Sequence, residues 1–168
     1  MSETASARHI LSAFCEGIGM DIGFGGDAIV PHAITFDMPQ PYTNVGSDGQ
    51  ILRGDCRNLF MFCNESLNWI HSAHLLEDFV YDEAEHIVRE WRRVLKVGGL
   101  LITNCPDQRR FKAHIKVSGQ PDNLAHKESD WSLATIKERV VKPTGPWEQV
   151  FEMDNFGPYS FLHVVRKV

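Results

Sequence analysis

Apolar positions in this chain follow two spacings, and the spacings alternate. Short apolar runs bounded by turn residues occur at Met20–Gly23, Ala33–Asp37, Gln50–Arg53, Leu67–Ser72 and Leu100–Asn104, and each reads as a strand. Between the last two, Ala84, Ile87, Val88, Trp91 and Leu95 recur at helical spacing over Glu83–Leu95. Acids lead that segment, Arg92, Arg93 and Lys96 close it, and Gly98-Gly99 stops it. A short helix is expected over residues 4–16, with Ile10, Leu11 and Phe14 on one face, and another over Ser132–Val141. Residues 106–130 are polar and broken by Pro106, Gly119 and Pro121, which reads as a loop or lid with room for one helical segment. Trp147–Met153 and Tyr159–Arg166 flank Asn155-Phe156-Gly157-Pro158, the pattern of an antiparallel hairpin at a sheet edge. Alternating strands and helices predict an α/β chain with a mostly parallel sheet. No internal repeat or second domain is visible, so residues 1–168 read as one domain.

The glycines change the picture most. Met20-Asp21-Ile22-Gly23-Phe24-Gly25-Gly26-Asp27 runs an apolar pair around a carboxylate into three glycines, and Phe36-Asp37 ends the next strand in a second carboxylate. A glycine-rich turn after one strand and an acid at the tip of the next make a nucleoside-cofactor site in an open parallel sheet. A dinucleotide needs a full helix after the glycines, whose N-terminal amides hold the pyrophosphate. Asp27-Ala28-Ile29-Val30-Pro31-His32 leaves room for one turn at most, Pro31 breaks anything longer, and Asp27 repels phosphate. The ligand expected is a nucleoside without phosphates, and S-adenosylmethionine (SAM) fits. A tight turn that needs glycine only for its backbone is the plainer alternative.

Hydrophobic content of 43%, charged content of 23% and 168 residues describe an ordinary globular chain with a real core. A net charge of −5 without a long basic stretch argues against nucleic acid as a partner, a local patch at Arg109-Arg110 aside. Cys15, Cys56, Cys63 and Cys105 are scattered with no CxxC pair, as reduced cytoplasmic thiols would be. The first residues lack an apolar signal core, and no run is long enough to span a membrane. His71-x-x-His74 and Cys56-x6-Cys63 are not metal-ligand spacings, so no metal is expected. The four tryptophans, Trp69, Trp91, Trp131 and Trp147, read as core.

Five stretches, in order, resemble a class I SAM-dependent methyltransferase of the methyltransferase type 11 group in a short form. They are Asp21-Ile22-Gly23-Phe24-Gly25, Phe36-Asp37, Arg53-Gly54-Asp55-Cys56-Arg57-Asn58-Leu59, Ile70 to Phe79, and Glu90 to Gly99. The resemblance spans roughly residues 15–168. It implies a Rossmann-like, doubly wound sheet with an antiparallel C-terminal hairpin, SAM as cofactor, and methyl transfer to a small molecule or saccharide. The chain departs from the pattern at Asp27, where the family usually has a third glycine, at Asp78 for a frequent histidine, and at Asn68 for a frequent aspartate. It also lacks the long N-terminal segment that often caps the acceptor pocket, so the lid is expected from residues 106–130 or from a partner. There is no Asn/Asp-Pro-Pro-aromatic tetrapeptide of the kind associated with methylation of base amino groups.

The cofactor residues expected are Asp21, Gly23, Phe24, Gly25, Asp37, Met38, Asp55, Cys56, Arg57 and Ser72. Asp37 would hold the ribose hydroxyls, and Asp55 the adenine amino group, with the amides of Cys56 or Arg57 at the ring. Asp55 serves as well for a turn cap. Asp21 either braces the glycine loop, the commoner role, or approaches the SAM ammonium. His71, Ser72 and His74 end the fourth strand, and His74 is the candidate base, with packing an equal alternative. Glu77 more readily braces a loop, while His114 and His126 lie in the expected lid. Two other readings remain open: a non-catalytic SAM-binding module acting as a partner subunit, and an NAD-binding oxidoreductase, which the short first loop weakens. Oligomeric state is left open, a homo-oligomer included.

Overall fold

A computed structural model describes residues 2–40 and 51–168. Seven strands form one sheet in the order β3-β2-β1-β4-β5-β7-β6. They are β1 (Gly19–Ile22), β2 (Ile34–Asp37), β3 (Ile51–Arg53), β4 (Leu67–Ala73), β5 (Leu95–Pro106), β6 (Trp147–Phe156) and β7 (Ser160–Lys167). The first five run parallel, and β7 turns antiparallel between β5 and β6. The chain reverses direction outward from β1, to β2 on one side and β4 on the other. This is the topological switch point where open α/β sheets place their ligands.

Every residue of β1 is buried, as a central parallel strand covered on both faces requires. One face, carrying Met20, Ile22, Ile70, Leu101, Phe161 and Val165, packs against α2 (Tyr81–Val94) and the segment that begins as α4 (Leu133–Thr135) and continues as a π-helical turn, Ile136–Val141. Trp91 of α2 has no exposure, and its indole N–H donates to the Cys56 carbonyl at 2.9 Å. Burial of a side chain of this class stabilises by roughly 1.5–3 kcal/mol. The opposite face, Trp69, Ile102, Leu162 and Val164, is covered by Ala7 and Leu11 of α1 (Glu3–Leu11) and by Ile29 and Val30. A parallel crossover usually brings its own helix to this face. Here the β1–β2 connection contains no helix, and the N-terminal α1 supplies the layer.

The expected elements differ from the structure chiefly at their ends. The α2 helix stops at Val94 because Leu95 is already extended, and β5 begins there, pairing with Leu67 before a register shift near Gly98-Gly99. A side chain at Gly99 would meet the Lys96 carbonyl at 2.9 Å, so glycine is required for the strand to continue. Gln50, the first residue of the expected third strand, lies outside the described residues. Within 106–130, α3 (Gln108–Ser118) is a full helix, capped by Asp107 and ended by left-handed Gly119.

Candidate active site

The carboxyl ends of β1, β2 and β3 converge on a shallow depression lined by Ile22, Gly23, Phe36, Asp37, Met38, Gly54, Cys56 and Leu75. Gly23 takes φ +68 as the chain leaves β1, and its N–H donates to the Phe36 carbonyl at 2.8 Å. Gly25 follows at φ +61, and its N–H reaches Asp37 Oδ2 at 3.2 Å. The other Asp37 oxygen accepts the Met38 amide at 2.8 Å. The acid at the tip of β2 is thus pinned by one bond to its own strand end and one to the glycine loop, facing the depression. Of the expected cofactor residues, the fold brings Gly23, Asp37, Met38 and Cys56 together here, with Gly25 at the rim.

The remaining ones are placed differently. Phe24 is buried. Asp55 closes a turn: it accepts the Arg57 amide at 2.9 Å and chelates the Arg57 guanidinium, whose hydrogen bonds hold its carboxyl below the usual range. Asp55 therefore carries the turn-cap role in this structure, and Arg57 is its partner. Burial, aided by the Asp55 charge, pushes the Cys56 thiol up to about 12, so it lines the wall as a protonated thiol. Asp21 has no exposure, and both its oxygens are taken, one by the Ile29 amide at 2.7 Å and one by His71 Nδ1 at 2.7 Å. It braces the loop, and its side chain is closed to a ligand ammonium. Ser72 is buried, with an Oγ that has no partner among the described residues.

Asp27, the acid standing at a usual glycine position, has a structural partner. Its carboxylate pairs with Arg8 and accepts from the Ser2 hydroxyl; these contacts, the Ser2 bond foremost, lower its carboxyl below the ordinary range. Ser2 Oγ also accepts the Ala5 amide at 2.9 Å as the N-cap of α1, and Arg8 donates to the Ala28 carbonyl at 3.0 Å. The glycine loop is tied to the first two turns of α1.

A second group of side chains gathers where β4 and β5 end. His74 takes φ +51, uncommon for a residue with a side chain, while its N–H is held by the Asn104 carbonyl at 2.8 Å. This turn sends Leu75 to the cofactor depression and the His74 ring to Ser160 Oγ, 3.2 Å from Nε2. Glu77 Oε1 lies 3.4 Å from His74 Nδ1 and 3.9 Å from His126 Nε2. Burial pushes the Glu77 carboxyl well above its ordinary range and the His74 imidazole down to about 4. The imidazole is therefore neutral near pH 7, which corrects the expectation of an imidazole titrating near neutrality. His126 Nδ1 bonds Gln108 Oε1 at 2.7 Å, and Lys127 N–H donates to the Glu77 carbonyl at 3.0 Å, so this part of 106–130 is pinned to the edge of the sheet.

Sequence reasoning missed Ile22 and Leu75 in the cofactor wall and Glu3 and Arg8 of α1. Ile22 and Leu75 stand inside the first and fourth motif stretches, which could have marked them, whereas nothing in the local pattern marks Glu3 and Arg8, which the fold's crossing of distant segments places. Two roomier clefts, about 400 and 430 Å³, flank Lys137 and Glu138 between the α4 segment and β6. One of them reaches Asp107 just past the end of β5, but neither touches the ends of β1 and β2, and we take the smaller depression as the site on the strength of its convergent groups.

No curated protein matches this sequence. Among solved structures, a Pyrococcus horikoshii OT3 protein superposes with a TM-score of 0.74 at 17% identity, covering 98% of this chain and 89% of that one. A SAM-dependent methyltransferase from Archaeoglobus fulgidus gives 0.73 at 14%, covering 99% and 95%. A putative methyltransferase of Haloferax volcanii, in complex with the Trm112 methyltransferase activator, gives 0.67 at 16%, covering 96% and 87%. The model of the methyltransferase domain family matches residues 8–103, more than half of the chain, from α1 through the glycine loop and Asp37 into β5. With the strand order and antiparallel hairpin of the class I fold around that site, the chain belongs to the methyltransferase domain family and is a SAM-dependent class I methyltransferase.

Proposed function

We propose that residues 1–168 act as one domain that transfers the methyl group of SAM to a small molecule or saccharide. The observation that carries the cofactor placement is Asp37, a carboxylate at the tip of β2 facing a depression walled by Gly23, Cys56 and Leu75. In this reading Asp37 accepts the ribose hydroxyls, Met38 and Cys56 flank the adenine, and the Gly23–Gly25 backbone passes close to the amino-acid end. The bound cofactor supplies an electrophilic methyl on a sulfonium. The chain's residues align the acceptor with it and keep bulk water away, which is most of what an in-line displacement requires. His74, one residue from Leu75, is the residue we assign to the acceptor side. As a neutral imidazole it can accept a hydrogen bond from the acceptor. The net charge of −5 supports an acceptor other than nucleic acid.

Calorimetry with the demethylated cofactor, S-adenosylhomocysteine (SAH), tests the placement. Asp37→Ala should stay folded and bind SAH about 10- to 100-fold more weakly, the equivalent of a lost charge-assisted pair of roughly 1.5–3 kcal/mol. His74→Ala should leave SAH affinity near wild type. Unchanged affinity in folded Asp37→Ala removes the assignment.

A partner-assisted reading has one observation in its favour. Leu52, Phe60 and Met61 are exposed large apolar side chains near Gly54, beside the proposed adenine end. A neighbour of this fold is complexed with a protein activator.

A further inference from the structure

The side chains grouped at the ends of β4 and β5 include one carboxylate whose partners are all neutral. Glu3, in the first turn of α1, accepts from the Tyr159 hydroxyl through Oε1 at 2.7 Å, and its Oε2 lies 3.7 Å from His74 Nε2. Among the described residues no lysine or arginine comes within ion-pair distance of it. Its position is fixed, because its backbone carbonyl accepts from Asn104 Nδ2 at 3.3 Å. The side chain is 37% exposed, at the rim rather than in the interior. Tyr159 beneath it is the hub of an aromatic wall, with ring centroids 5.2 Å from His114, 5.3 Å from Phe111 and 6.1 Å from His74. The His74–Leu75 step joins this wall to the cofactor depression, its left-handed backbone sending one side chain to each.

We propose that Glu3, Tyr159 and His74 form the acceptor subsite and that it takes a small molecule carrying an amine, which binds as the ammonium and is methylated once its proton has passed by way of the Glu3 carboxylate to rim water, freeing the nitrogen lone pair to displace the cofactor's thioether. A sugar hydroxyl would donate to the Glu3 carboxylate, as the ribose hydroxyls would to Asp37, but would leave its charge uncompensated. An ammonium pairs with that carboxylate at the rim and lies against the Tyr159 ring, whose quadrupole attracts a cation. The pairing is charge-assisted on both sides, and it uses the lone pairs that Tyr159 and His74 leave free. Glu77 and the neutral His74 lie behind it, and burial favours the uncharged form of the Glu77 carboxyl. The proposal rests on the cofactor placement above and deepens it from small molecule or saccharide to an amine.

The test is calorimetry on the protein saturated with SAH, using two probes of one skeleton, phenethylamine and phenethyl alcohol. Wild type should bind the amine about tenfold or more tighter than the alcohol, as a charge-assisted bond predicts. Glu3→Gln should erase the difference while leaving SAH affinity unchanged. Tyr159→Phe, which frees the carboxylate to swing, should reduce it several-fold. Equal binding of the two probes, no detectable binding of the amine, or a preference that survives in Glu3→Gln overturns the amine subsite. Failure of SAH itself to bind overturns instead the cofactor placement on which it depends, so the two failures are told apart.

Discussion

Gly23 meets two demands at once, one of backbone conformation and one of space. Its φ of +68 is a conformation that costs an L-residue roughly 1–2 kcal/mol, and an added Cβ would stand 3.0 Å from the Leu75 side chain. Gly25, at φ +61, has only the Gly23 carbonyl within 4.0 Å, so a side chain there meets open space above the loop. Both positions share the left-handed strain, and Gly23 adds the contact with Leu75. Gly23→Val should lower stability and SAH affinity together, seen as a reduced denaturant midpoint and a weaker titration. Gly25→Val should keep more of the stability while losing the binding. If Gly25→Val binds SAH as wild type does, the cofactor does not pass over this loop. The need for glycine was legible in the sequence, because three glycines after an apolar run are a backbone statement. That Asp21 beside them braces the loop was the commoner of its two expected roles, but its partners were not legible, because Ile29 and His71 come from the following loop and from β4.

At the scale of elements, α1 does what a crossover helix does elsewhere. It covers Trp69 and Ile102 with Ala7 and Leu11, and it reaches the glycine loop through Arg8 and Ser2. The Arg8–Asp27 pair is more than one-third exposed on each side, so its worth to global stability is small, about 0–1 kcal/mol. Its effect should be local. Asp27→Ala and Arg8→Ala should leave the melting temperature nearly unchanged yet speed amide exchange across residues 3–11, and the double mutant should exceed Asp27→Ala by little, since the two share one contact. High salt should shift wild type in the same direction. Exchange in α1 that ignores all three changes would mean that apolar packing alone holds the helix. Asp27 looks like an anomaly in a sequence compared with its family, and its explanation lies nineteen residues earlier.

The molecule as a whole carries buried histidines that make its stability depend on pH. Burial holds both His74 and His163 near 4, against an ordinary 6.5. Between those values the unfolded chain binds more protons than the folded one, so stability should fall as pH drops from about 6.5 toward 4. Glu77 acts in the opposite sense: its folded carboxyl keeps a proton above the ordinary 4.5, so stability is lost there as pH rises through the window of its own titration. His163 lies apart from that pair, with Gln149 at 3.1 Å, and isolates the first effect. Urea unfolding at about pH 7 and about pH 5 should show a decline that His163→Gln reduces by on the order of 1–3 kcal/mol. An equal decline in both proteins would remove His163 as its source. Local pattern alone determined the strands, α2 with its Trp91 stripe, the C-terminal hairpin, and the glycines and Asp37 that end β1 and β2, because periodicity and turn chemistry act over a few residues. Only the tertiary structure decided that α1 stands in for the missing crossover helix, that Asp27 is its anchor, and that Glu3 and Tyr159, at opposite ends of the chain, meet beside His74. Those contacts join segments whose proximity is set by strand order, and no periodicity along the chain records strand order.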